Sequence, residues 1–284
     1  MKYKAKKTYR AIFKLIFIYL FLAIICGFCA TPFIWMLSTS FKVQEDIFSA
    51  NPTLIPERPT LDNYGYVFRE TLFARWYLNS LFIALCTTIS SIMVTSLAAY
   101  SLSRFRFRGS IGISIWILSS QMLPRVLLVV PLFLVFYKIK LLNTHPALII
   151  AYTTFTIPFC TWMLKGYFDS IPKELEQAAM IDGCNRFSAF IKILIPSALP
   201  GIAAVALFAF LQGWNELLMA TVLIKSEAKT VLSVGITRAL GPSQQYLWGP
   251  IMAQCAMIII VPLLIFIFVQ KYLVSGLTSG AVKG

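Results

Sequence analysis

Between residues 15 and 41 the chain runs without a single charged side chain. That is longer than the roughly 20 apolar residues needed to cross a bilayer as a helix, and far longer than a buried strand. In hydrocarbon each backbone amide must be satisfied within its own segment, so a helix is the expected form. Comparable apolar runs recur at residues 76–103, 109–137, 146–164, 197–224 and 247–270. With 58% hydrophobic residues among 284 and a mean hydropathy of +0.78, the chain is too apolar for a soluble globular domain. The expectation is an all-α membrane protein with six transmembrane helices.

Charge placement orients those spans. Lys2, Lys4, Lys6, Lys7, Arg10 and Lys14 precede the first run without an acid among them, and Arg104, Arg106 and Arg108 follow the second. Six spans with both termini inside place 15 basic and 4 acidic residues inside, 9 and 6 outside, and leave Arg125 and Glu216 within spans. The bias has the sign expected of cytoplasmic segments. The net charge of +14 therefore reads as an orientation signal and a match for anionic lipid, not as a nucleic-acid footprint. The first run exceeds a signal peptide's apolar region and is expected to stay as a transmembrane helix. The six cysteines mostly fall inside apolar runs and read as small buried hydrophobes.

One polar stretch interrupts this pattern between the fourth and fifth runs. Residues 170–196 carry Lys173, Glu174, Glu176, Asp182, Arg186 and Lys192, so the stretch cannot lie in hydrocarbon. Its order predicts two short helices. Pro172 suits a first helical turn, Glu174 and Glu176 suit the positive end of the dipole, Gly183 supplies a stop, and Asn185 caps a second helix ending near Pro196. Leu175, Ala178, Ala179 and Asp182 share a face by three- and four-residue spacing. That small, lightly apolar face suits docking into a groove, with Glu176 and Asp182 recognised at its edges. The plainer alternative is that the alanines are only good helix formers.

The string Glu176, Gln177, Ala178, Ala179, Asp182, Gly183, followed by Ile193 to Pro196, resembles the cytoplasmic EAA loop of ABC importer permeases. "LEQAAMIDG" is similar to the carbohydrate-uptake branch, and "WMLSTSFK", "LIPERPTLDNY" and "NSLFIAL" extend the likeness, which covers residues 31–284. The resemblance implies a type I permease fold and a coupling helix that rests in a cleft on an ATPase subunit. Gln177 stands where the family usually has a glutamate, so the position keeps hydrogen-bonding reach but loses a charge. The resemblance further implies a second, homologous permease, a dimeric ATPase that binds ATP and Mg, an extracytoplasmic sugar-binding protein, and a bacterial inner-membrane location. The C-terminal GLTSGAVKG resembles a tail that lies near the ATPase subunits; otherwise it is a frayed, glycine-rich end.

Ionisable residues inside spans are functional candidates by default. In the carbohydrate permeases the helix bearing a "WNE" pattern lines the translocation path. Here Trp214 could stack on a sugar ring, while Asn215 and Glu216 could bond its hydroxyls. Glu216 could equally bond between helices. Arg125, between Pro124 and Pro131, could face the same path or pair with Glu216. It could also snorkel or cap carbonyls freed near the prolines. His145, the only histidine, has too few potential ligands around it for a metal site.

No GxxxxGK[ST], HExxH or GxSxG string occurs, so neither a P-loop nor these catalytic sites is expected, and no cofactor in this chain. Energy must arrive from a partner through the polar loop. The organisation expected is residues 1–75 as basic N-terminus, first span and extracytoplasmic loop, 76–270 as the permease core, and 271–284 as a cytoplasmic tail. The rivals are an ion-coupled transporter or channel working without an ATPase, and an integral-membrane enzyme. A lone Glu216 and Arg125 make a poor proton relay, and inverted repeats are not detectable.

Overall fold

Apart from one isolated bridge, Lys42 to Pro59, every regular element among the described residues is helical. The computed structural model describes residues 2–49, 51–105, 107–239 and 247–281, with backbone only for 2–11, 239 and 274–281. Arg106, residues 240–246 and the last three residues of the tail lie outside the described residues. Four single helices are long and apolar enough to cross a membrane. Two bent pairs, Ser110–Met122 with Arg125–Lys138 and Arg186–Ser197 with Leu199–Asn215, complete the six spans.

One unit comprises Met1–Thr71 and Pro242–Ile259. Its long helix α1 (Lys2–Ser40) turns apolar side chains outward from Ile12 to Leu37, which suits a surface solvated by lipid. Cys26 and Cys29, one helical turn apart, lie on that exposed surface, so the reading of the cysteines as buried holds for Cys160 but not for these two. The following segment is more ordered than a plain loop. Helices α2 (Gln44–Ile47) and α3 (Asp62–Glu70) pack it into a small cap. Asn63 donates to the carbonyls of Ser40 and Lys42 at 2.9 and 2.8 Å, and buried Lys42 reaches the Thr53 carbonyl beneath the Trp35 ring. Gly249 is required here: a Cβ would stand 2.3 Å from Asn63 Oδ1.

The other unit, Leu72–Gly241 with Ile260–Gly284, is organised on α4 (Phe73–Arg104). Helix α5 (Ser110–Ser119) and a 3-10 turn lead to Pro124, where the chain bends by 98° into α6 (Arg125–Lys138). The expected single span over 109–137 is thus broken, because Pro124 cannot donate a helical hydrogen bond and disfavours helix in the residue before it. Helix α7 (His145–Ser170) starts at Thr144, whose side chain accepts from Ala147 N, and runs one turn and more beyond the expected end.

Helix α8 (Glu174–Ile181) and the short α9 (Arg186–Ala189) follow, then a π-helical turn over Phe190–Leu194 and α10 (Ile195–Ser197). The chain bends by 78° into α11 (Leu199–Asn215), with Pro196 and Pro200 flanking the bend. Helices α12 (Leu218–Leu223) and α13 (Leu232–Ala239) occupy the region expected as span end and loop. Helix α14 (Trp248–Ala281) runs through most of the residues expected as a separate tail.

Helix α4 buries a face of small hydroxylated residues, including Thr87, Thr88, Ser91 and Thr95, against α7 and α11. Ser90 bonds Thr153 at 2.7 Å and Ser91 bonds Thr156 at 2.6 Å. In lipid such pairs join helices where apolar contact alone provides no driving force. Gly213 lets α11 approach closely, since its Cβ would sit 3.1 Å from the Ala84 Cα.

Candidate functional site

The polar loop has the expected local form with one shift and one reversal. Its stop is a Schellman motif: Gly183 adopts φ +93°, its N–H donates to the Met180 carbonyl, and Cys184 N–H donates to the Ala179 carbonyl. Asn185 Oδ1 accepts from Ser188 N at 2.7 Å and so caps α9. Pro172, however, lies outside the helix ahead of Lys173 instead of in its first turn.

The reversal concerns the face of α8. Glu176 and Ala179 are turned inward, 6% and 8% exposed, and are not available to a docking partner. Glu176 is held by Arg104 of α4, with Nε 2.5 Å from Oε1. The surface offered outward is Leu175, Gln177, Ala178, Ile181, Asp182 and Gly183. Ile181 is 87% exposed and Leu175 48%, so the face is more apolar than the sequence spacing implied. Glu176 lies 72 positions from Arg104, and no local pattern announces that pairing. A cleft beside α8, lined by Tyr100, Phe105, Lys173, Met180 and Arg186 among others, places the Arg186 guanidinium 5.4 Å from the Phe105 ring.

The intramembrane candidates are held apart in role. Trp214 is 3% exposed, stacked on Phe210 at 5.6 Å and edge-on to Tyr77 at 5.4 Å, so its ring faces are not free for a ligand. Glu216 closes α11, and its carboxylate accepts the backbone N–H groups of Met219 and Ala220 at the start of α12. The break that this cap supports replaces the continuous helix expected over 197–224. Asn215 is exposed.

Arg125 does not pair with Glu216. It donates to Gln212 Oε1 at 2.9 Å and lies 5.5 Å from the Phe155 ring. Gln212 was missed by sequence reasoning because a lone glutamine in an apolar helix gives no distinct signal. His145 Nε2 lies 3.3 Å from the Lys229 carbonyl, and among the described residues no group of three His, Cys, Asp or Glu side chains could hold a metal.

The polar loop thus turns one face of α8 outward and staples the other to the end of one long span. Residues 91–279 match the model of the family described as binding-protein-dependent transport system inner membrane component. The chain belongs to that family.

As a member, it is a membrane-embedded transport component and not an enzyme. The inner membrane ABC transporter permease protein YcjP of Escherichia coli (strain K12) is 36% identical over 89% of this chain and 91% of its own length. The trehalose/maltose transport system permease protein MalG of Thermococcus litoralis is 38% identical over 93% and 94%. The solved structure of a bacterial ABC transporter involved in import of the acidic polysaccharide alginate superposes with a TM-score of 0.78 at 25% identity, over 90% of this permease and 95% of that chain. The all-α, six-span permease fold expected from the sequence is therefore the one observed.

Proposed function

We propose that this permease forms half of the translocation path of an ABC importer for a sugar or oligosaccharide. A second, homologous permease completes the path. An extracytoplasmic binding protein delivers the substrate, and a dimeric ATPase, which alone binds ATP and Mg, supplies the energy. The outward face of α8 carries this reading. Leu175, Ala178 and Ile181 form an exposed apolar strip on a helix that the charges around it keep out of the bilayer, and such a strip suits a groove in a soluble subunit. The basic residues of 2–14 and 104–108, with no acid among them, support placing the N-terminus and the end of α4 that meets α8 in the cytoplasm.

The mechanism is alternating access. Closure of the ATPase dimer on ATP moves α8, and the spans that line the path reorient between states of different substrate accessibility. Asn215 and the Arg125–Gln212 pair are the polar groups assigned to that path, with Glu216 shaping it through the α11–α12 break. The names of several relatives, trehalose/maltose and sulfoquinovosyl glycerol transport among them, support a carbohydrate substrate.

The test is affinity purification of the tagged chain from native membranes in mild detergent, with mass spectrometry and an ATPase assay. A second permease and a P-loop ATPase should co-purify, and Ala178→Trp should release the ATPase. A chain that purifies alone, and whose membranes transport without ATP, would establish the solitary-transporter alternative instead.

A further inference from the structure

Arg104 is the last residue of α4, and its guanidinium meets three elements at once. Nε donates to Glu176 Oε1 on α8, Nη1 to the Phe168 carbonyl at 2.9 Å, and Nη2 to the Ile171 carbonyl at 3.2 Å. The two carbonyls lie at the C-terminal end of α7, where the dipole favours a cation; the Phe168 carbonyl also accepts from Ile171 N–H. Both side chains of the ion pair are 7% exposed. A planar fork can serve a carboxylate and two carbonyls in one arrangement, which a lysine ammonium on its flexible stem does not reproduce. Ser103, beside it, accepts from Arg104 Nη1 and donates to Asp169, which also holds Lys165. The polar cluster thus ties the end of α4 to the end of α7 and to the inward face of α8.

Pulling this pair apart would leave an uncompensated charge in a buried site, so the three elements resist separation. Helix α8 also packs against α9 and the π-helical turn that follow it, and the Arg104–Glu176 pair is its charged link to α4. Its outward face is exposed, and its inward Glu176 joins it to α4, the span packed on α7 and α11.

We propose that the Arg104–Glu176 pair is the strut that delivers displacement of α8 to α4 and α7, so that Arg104 is a positioning residue for energy coupling and touches neither substrate nor ATPase. The proposal rests on the importer reading above. It differs from docking, which belongs to the opposite face of α8.

The test uses the full complex in proteoliposomes, with the binding protein purified from the same cells as probe. Variants are R104A, R104K, R104E, E176R and the charge-swapped R104E/E176R. In R104A the co-purified ATPase and the basal hydrolysis should stay at the unaltered level, while stimulation by the binding protein should fall roughly 5- to 30-fold. R104K should be intermediate, since it restores the charge but not the fork. The swap should recover stimulation to within about threefold, against near-complete loss in either single reversal. Undiminished stimulation in R104A and R104K, or a swap no better than the single reversals, would overturn the strut. If R104A does not reach the membrane, R104K and the swap decide the matter by the same criteria. Absence of any ATPase from the unaltered complex would instead overturn the importer reading, and the strut with it.

Discussion

The Glu216 carboxylate and the Met219 backbone N–H stand 2.9 and 3.1 Å apart through the two carboxylate oxygens, and Ala220 N–H adds a third bond at 3.2 Å. A side chain two residues ahead of α12 thus satisfies two of its orphan amides. Replacing Glu216 by Ala should lower stability by about 1 kcal/mol, as for loss of a helix cap. Thermal unfolding of the detergent-purified permease would register this as a lower midpoint, and Glu216→Gln should retain most of it. An unchanged midpoint in the alanine variant would refute the capping role.

Gly183 holds the φ +93° that ends α8, and its N–H is bonded to Met180. Gly183→Ala forces an L residue into that region at about 1–2 kcal/mol. Gly183→Pro additionally fixes φ near −65° and removes the donor. Uptake by membrane vesicles should fall in the order Gly, Ala, Pro while the amount inserted stays constant. Normal uptake by the proline variant would contradict the role of this turn.

The outward and inward faces of α8 predict different failures. Ile181→Glu should abolish recovery of the ATPase by pull-down and leave the permease's own unfolding midpoint unchanged, because Ile181 is almost wholly exposed within the chain. Ala179→Leu should lower the midpoint, because it overfills a buried position by about 1–3 kcal/mol. Equal effects of the two on both readouts would show that the faces are wrongly assigned.

Gly235 lies so close to Trp76 that a Cβ would fall 2.2 Å from the indole ring. Gly235→Ala should therefore destabilise the permease by about 1–3 kcal/mol, and Trp76→Leu in the same chain should recover part of that loss. The check is a double-mutant cycle of unfolding midpoints. Strict additivity would mean that the two residues are not in contact.

Much of this protein was legible in its residues, for local reasons. Six apolar runs set the number of spans, because hydrocarbon tolerates few charges and no unsatisfied backbone. The punctuation of the polar loop was equally readable, since Gly183 and Asn185 act on their own backbone within a few residues. Prolines 124 and 196 were visible too, but their consequence was not: whether a proline merely kinks a span or turns it by 98° depends on what packs against each half.

The candidate site divides along the same line. Helical spacing correctly placed Ala178 and Asp182 on one face of α8, yet it grouped Ala179 with them and set Glu176 at the edge. Only the position of α4, fixed by its hydroxyl seam with α7, brings Arg104 to Glu176 and so decides which side of α8 is inside. In the same way Trp214 reads as a ligand platform until Phe210 and Tyr77 cover it. By itself the sequence determined the spans, their orientation bias and the turn chemistry, because those follow from contacts within a few residues and from contact with solvent or lipid. The tertiary structure alone decided the partners of Glu176, Arg125, Trp214 and Glu216. Burial and pairing between helices far apart in the chain depend on how whole faces meet, and no short-range pattern encodes that.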